Sequence, residues 1–104
     1  MRVKVPNQIK IAGRIYKVLL EARLVREQGN RGEVRWDREE IALDTNLNLN
    51  QRTVSFLHEL VHIIDEHFCC RSNISEEITS GLAEGLFQLL KDNFGIEFEW
   101  EDIC

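Results

Sequence analysis

Over the first 45 residues apolar and β-branched side chains come in short runs, whereas from residue 48 onward they recur at intervals of three and four. Gln8 to Ile11 and Arg14 to Leu20 are two β-branched-rich runs separated by Ala12-Gly13, which predicts a hairpin. Gly32 to Trp36 and Glu40 to Leu43 form a second pair about Asp37-Arg38-Glu39, and Glu27-Gln28-Gly29-Asn30-Arg31-Gly32 has the composition of an exposed loop. Val54, Leu57, Val61, Ile64 and Phe68 then follow helical spacing and predict the buried spine of a helix over 48–68. Asn48 and Gln51, three residues apart, resemble a capping box at its start. Residues 72–93 read as a second helix, capped by Asn73 or Ser75 and ended near Asn93 and Gly95. In the tail, over 96–104, Ile96, Phe98 and Trp100 alternate with Glu97, Glu99 and Glu101, so this segment has an apolar face to hide against the sheet, the cleft or a neighbouring chain.

Strands followed by helices predict an α+β fold. The expected form is one domain, with a twisted sheet of three to five strands from residues 1–45 and both helices packed against one face. Ile41 and Leu43 are expected to put their strand at the edge of a cleft, where an extended peptide adds by main-chain hydrogen bonding.

Within the first helix stands His58-Glu59-Leu60-Val61-His62, the H-E-x-x-H pattern. Residues four apart stack on one helix face, so both imidazoles can reach one tetrahedral centre, with Glu59 beside that face as a general base toward an attacking water. His58, His62 and Asp65 form a polar stripe beside the apolar spine, as suits a helix lining a cleft.

A catalytic zinc takes three protein ligands and keeps one position open. The second helix offers Glu76, Glu77 and Glu84. At about 100° per residue Glu76 shares a flank with Thr79, Ala83, Phe87 and Leu90, whereas Glu77 and Glu84 fall on the more polar opposite side with Gly81 and Gln88. Glu76 is the preferred third ligand, and Asp65, three residues after His62, is the outside candidate. Tyr16 and His67 are the few available donors for a developing oxyanion, with His67 off the ligand stripe.

The pentapeptide, flanked by Phe56, Leu57, Ile63 and Ile64 and followed by a glutamate helix, resembles the gluzincin metallopeptidases. More narrowly, it is similar to the small phage and bacterial ImmA/IrrE-like metallopeptidases and to minimal gluzincins of about a hundred residues. Glu76, Thr79, Ser80, Leu82 and Ala83 fit the frame that carries the third ligand in such families, with Thr79 and Ser80 where Ala or Ser and Asp or Asn are more usual. The resemblance implies zinc held by His58, His62 and Glu76, Glu59 as catalytic base, and peptide hydrolysis on a specific protein substrate, for which it admits a repressor. The alternative is a zinc-binding interaction module of a phage or mobile element in which the site catalyses weakly or not at all.

Composition narrows the rest. With 43% hydrophobic and 30% charged residues the chain reads as a globular protein without a membrane span. The N-terminus begins as a strand rather than a secretory signal, and three cysteines, Cys69, Cys70 and Cys104, are an odd number with two adjacent, so reduced thiols in the cytoplasm are expected, with Cys69 as buried filler. A net charge of −5 argues against general nucleic-acid binding. Basic residues outnumber acidic ones ten to six over 1–40 and are outnumbered twelve to three over 41–104, so the arginines of the first half are expected to decorate a solvated sheet face, with a docking patch for an acidic partner as the alternative.

Overall fold

The computed structural model describes residues 1–22, 24, 31–69 and 73–103. The fold is α+β, with strands β1 (Arg2–Lys4), β2 (Gln8–Ile11), β3 (Arg14–Glu21), β4 (Gly32–Arg35) and β5 (Glu40–Asp44), helices α1 (Leu49–Phe68) and α2 (Glu76–Phe94), and a last strand β6 (Glu97–Glu99). Four strands form one sheet in the order β2-β3-β5-β4, and β1 pairs with β6 in a separate two-stranded sheet.

The β2–β3 hairpin forms as expected, with Ile11 opposite Arg14. Both turn residues have positive φ, Ala12 at 53° and Gly13 at 75°, the requirement of a two-residue turn whose twist matches its strands. Strands β4 and β5 also pair antiparallel, whereas β3 and β5 pair in parallel, Leu19 opposite Ala42. This crossover corrects one expectation: β5, with Ile41 and Leu43, lies inside the sheet, and the edge strand is β4. Arg35 ties that edge to its neighbours, reaching Glu33 at 2.7 Å, Glu40 at 3.5 Å and both carboxylate oxygens of Glu21 on β3. The guanidinium in turn holds the Glu21 carboxyl below the usual carboxylate range.

Helix α1 opens with the expected capping box, Gln51 N–H donating to Asn48 Oδ1 at 2.8 Å and Asn48 N–H to Gln51 Oε1 at 3.2 Å. Its burial departs from the expected spine. Leu57 and Val61 are buried and Val54 half-buried, but Ile64 and Phe68 are exposed, while Thr53, Ser55, Phe56, Glu59 and Ile63 are buried. The helix is packed on two sides, against β4 and β5 and against α2, so burial wraps past a single stripe. Phe56 and Ile63 join the core of Tyr16, Val18, Ile41 and Leu43 beneath it. Helix α2 makes its main contact with α1 rather than with the sheet. Ser75, not Asn73, caps it, accepting from Ile78 N–H at 3.1 Å, and Gly95 ends it in the left-handed conformation at φ 61°.

The tail joins the body of the domain. Strand β6 pairs in parallel with β1, Val3 opposite Phe98. Trp100 and Ile103 are buried, and Phe56 meets Phe98 and Trp100 edge-on, with ring centroids 6.1 and 5.3 Å apart. Cys69, expected as buried filler, follows the last residue of α1 and is exposed, because the buried face of that helix ends at Ile63. Cys70, Cys104 and most of the expected loop 27–32 lie outside the described residues. Among the described residues no helix is long and apolar enough to cross a membrane.

Candidate metal centre

One helical turn separates His58 from His62, and their rings stand edge to face with centroids 4.8 Å apart and Nε2 atoms 3.1 Å apart. The first turn of α2 brings Glu76 onto the same point. Its Oε2 lies 2.9 Å from His58 Nε2 and its Oε1 2.8 Å from His62 Nε2. Among the described residues, one ligand atom from each of these three side chains lies within 4.8 Å of the others.

The donor set suits a zinc-type ion. Two imidazole nitrogens and a carboxylate are common ligands of that metal, and ligand atoms around a tetrahedral centre with bonds of about 2.0–2.1 Å stand roughly 3.3 Å apart. The observed separations of 2.8 to 3.1 Å fall just inside that spacing, so a small expansion would make room for an ion. Glu76 is exposed, which leaves one side of the triangle open to solvent. His58 Nδ1 faces Ser80 Oγ at 3.4 Å, and this contact orients the ring with Nε2 toward Glu76.

Glu59 stands beside this triangle and is only 7% exposed. Burial, reinforced by the negative charges of Glu76 and Glu33, pushes its carboxyl up to about 7. Such a group changes protonation near neutral pH, as a general base requires. Room for its side chain comes from Gly32 at the start of β4. A Cβ on Gly32 would stand 3.5 Å from Glu59 Cγ and only 2.9 Å from Leu43 Cδ2.

The cleft over His58, Glu59 and Glu76 has a volume of about 320 Å³ and is closed on other sides by Arg31, Val54, Ser80 and Glu84. Edge strand β4 forms a further wall, with Glu33, Val34 and the following Trp36 beside both histidines. Glu84, expected on the far side of α2, therefore borders the cleft. It follows Glu76 and Ser80 at four-residue steps, and the packing of α2 on α1 sets that row along the rim of the cleft. Glu77 is exposed and outside these walls, and Asp65 lies beyond His62 in an adjoining cavity of about 580 Å³. Tyr16 and His67 meet there, the hydroxyl 2.8 Å from His67 Nε2, with Trp36 edge-on to the imidazole. Burial raises the Tyr16 hydroxyl above its ordinary range. Neither Gly32 nor Ser80 carried a sequence signal for these contacts; Ser80 stood only at the polar position of the family-like frame.

No protein-family model, curated protein or solved structure matches this chain.

Proposed function

We propose that this chain is a zinc-dependent hydrolase that cleaves a peptide bond in a specific protein substrate. The observation that carries the reading is the convergence of Glu76, from a second helix, on His58 and His62 with the buried Glu59 alongside. His58, His62 and Glu76 would hold the metal, which when bound would supply Lewis acidity toward the scissile carbonyl and the attacking water. Glu59 accepts a proton from that water as its oxygen bonds to the carbonyl carbon. The C–N bond then breaks, and Glu59 returns the proton to the leaving amine. Ser80 orients His58, and the open side of Glu76 admits the substrate.

The substrate lies extended along β4, which walls the cleft and is an edge strand among the described residues, so that its outer backbone groups can pair with it. The exposed free thiol of Cys69 accords with a reducing, cytoplasmic setting. The test is hydrolysis of a peptide library by the zinc-loaded chain, with and without a chelator. Chelator-sensitive cleavage that returns on adding zinc is expected, and a zinc-loaded chain that cleaves nothing overturns the enzymatic reading.

A further inference from the structure

Helix α2 carries an apolar face turned away from both the core and the cleft. Ile78, Leu82, Leu86 and Leu89 are 55%, 48%, 43% and 51% exposed. At 100° per residue they fall within an arc of about 80°. Thr79 and Ala83, both fully buried, mark the side turned to the domain, and Glu76, Ser80 and Glu84 mark the side turned to the cleft. On its remaining border the face carries Gly81 and Gly85, where an added Cβ would meet nothing within 4 Å. Glycine weakens a helix interior, and nothing among the described residues requires the missing side chains.

We propose that this face is a homodimer interface, on which a second copy of the chain lays its own α2 antiparallel about a two-fold axis near residue 84. The occupant is argued from symmetry, area and charge. Ile78 and Leu82 precede that point at nearly the spacing with which Leu86 and Leu89 follow it. A two-fold therefore sets Leu82 against the partner's Leu86 and Ile78 against the partner's Leu89, each contact occurring twice, as an isologous interface demands. The four side chains expose apolar surface on the order of 400 Å² per copy, within the range that marks interaction sites on soluble proteins. Two such faces with their polar rims reach the ~1,000 Å² that a specific interface needs. The glycines let the two backbones approach closely enough for these side chains to be covered. Within α2 the charged residue nearest this face by helical phase is Asp92 at its border, so the helix offers a charged partner little to read, whereas an identical leucine row matches it.

Sedimentation equilibrium of the full chain from about 5 to about 200 µM tests this. The wild type is expected to dimerise in that range. Gly85→Arg is expected to raise the dimer dissociation constant at least tenfold with far-ultraviolet circular dichroism unchanged and, at dilutions where both proteins are monomeric, Tm equal or higher, since the helix gains a better former and the monomer has room for it. Leu82→Glu with Leu86→Glu should act likewise, and Ile15→Glu, exposed on β3, should leave the dimer intact. A wild type that stays monomeric throughout overturns the proposal, including the case in which the face serves a different protein or another segment. A dimer that survives Gly85→Arg overturns the placement of the interface, whether or not the glutamate variant folds.

Discussion

Ser80 Oγ on α2 lies 3.4 Å from Nδ1 of His58 on α1, the ring nitrogen opposite the one that faces Glu76. A hydrogen on Nδ1 directed to that hydroxyl leaves the Nε2 lone pair for a metal. Ser80→Ala is therefore expected to lower zinc affinity about tenfold, the smaller effect for loss of a group that orients a ligand. Competition against a fluorescent chelator reads the change. Unaltered affinity in a folded variant would show that Ser80 does not hold the ring.

Glu59→Gln keeps the shape of the buried side chain and removes its basicity. Hydrolysis should fall by at least ~10²-fold while zinc binding stays near that of the wild type, because the ligand atoms are untouched. Single-turnover rates on a cleaved peptide, paired with metal content, separate the two effects. Wild-type rates in this variant would remove Glu59 from the mechanism.

The same carboxyl sets a pH dependence in the metal-free protein. In the folded chain Glu59 keeps its proton until about pH 7, whereas in the unfolded chain it ionises near 4.5. Between those values the folded state binds more protons, so stability is greatest below 4.5 and is lost as the pH rises toward 7. The loss is on the order of 3 kcal/mol. Urea denaturation at pH 5 and pH 8 should show this decline in the wild type and a much smaller one in Glu59→Gln. A cation beside the carboxylate favours its charged form, so adding zinc should flatten the wild-type decline. Equal pH dependence in the two metal-free proteins would show that Glu59 ionises freely.

Features set by neighbours along the chain were legible in the sequence. The Ala12-Gly13 hairpin, the Asn48–Gln51 box, the turn-apart pairing of His58 with His62, and Glu76 rather than Glu77 in the cleft all follow from local geometry or helical phase. Features set by long-range packing were not. The parallel pairing of β3 with β5 skips the strand between them in sequence, and it moved the sheet edge from β5 to β4. At 100° per residue Glu84 lies about 80° from Glu76 rather than opposite it, and the docking of α2 on α1 turns the flank between them toward the cleft. Ile64 and Phe68 share the helical phase of the buried Leu57 and Val61 but lie beyond Ile63, where the buried part of the helix ends, and a periodic stripe does not report where along a helix its cover stops. The pairing of β1 with β6 joins the two ends of the described chain, beyond the reach of any local pattern.

Gly32 at the start of β4 stands close to Leu43 and Ala42 of β5 and to Glu59 of α1. A methyl group there would stand 2.9 Å from Leu43 Cδ2 and 3.2 Å from the Ala42 carbonyl oxygen, and Leu43 is fully buried. Gly32→Ala is expected to cost about 1–2 kcal/mol in stability, the usual range for overpacking a filled core. The displaced neighbours adjoin Glu59, so the variant should also lose activity with zinc bound. Equilibrium denaturation measures the first effect, and unchanged stability would show that Leu43 has a second rotamer open to it.

Titration of zinc into the metal-free wild type and its Glu76→Ala, Glu77→Ala and Glu84→Ala variants, followed calorimetrically, measures the proposed centre most directly. One equivalent should bind the wild type and the Glu77 and Glu84 variants with similar affinity, and Glu76→Ala should lose most of it, because two imidazoles alone leave the ion under-coordinated. Tight binding that survives in Glu76→Ala, or a wild type that takes up no zinc, would contradict a centre built from His58, His62 and Glu76.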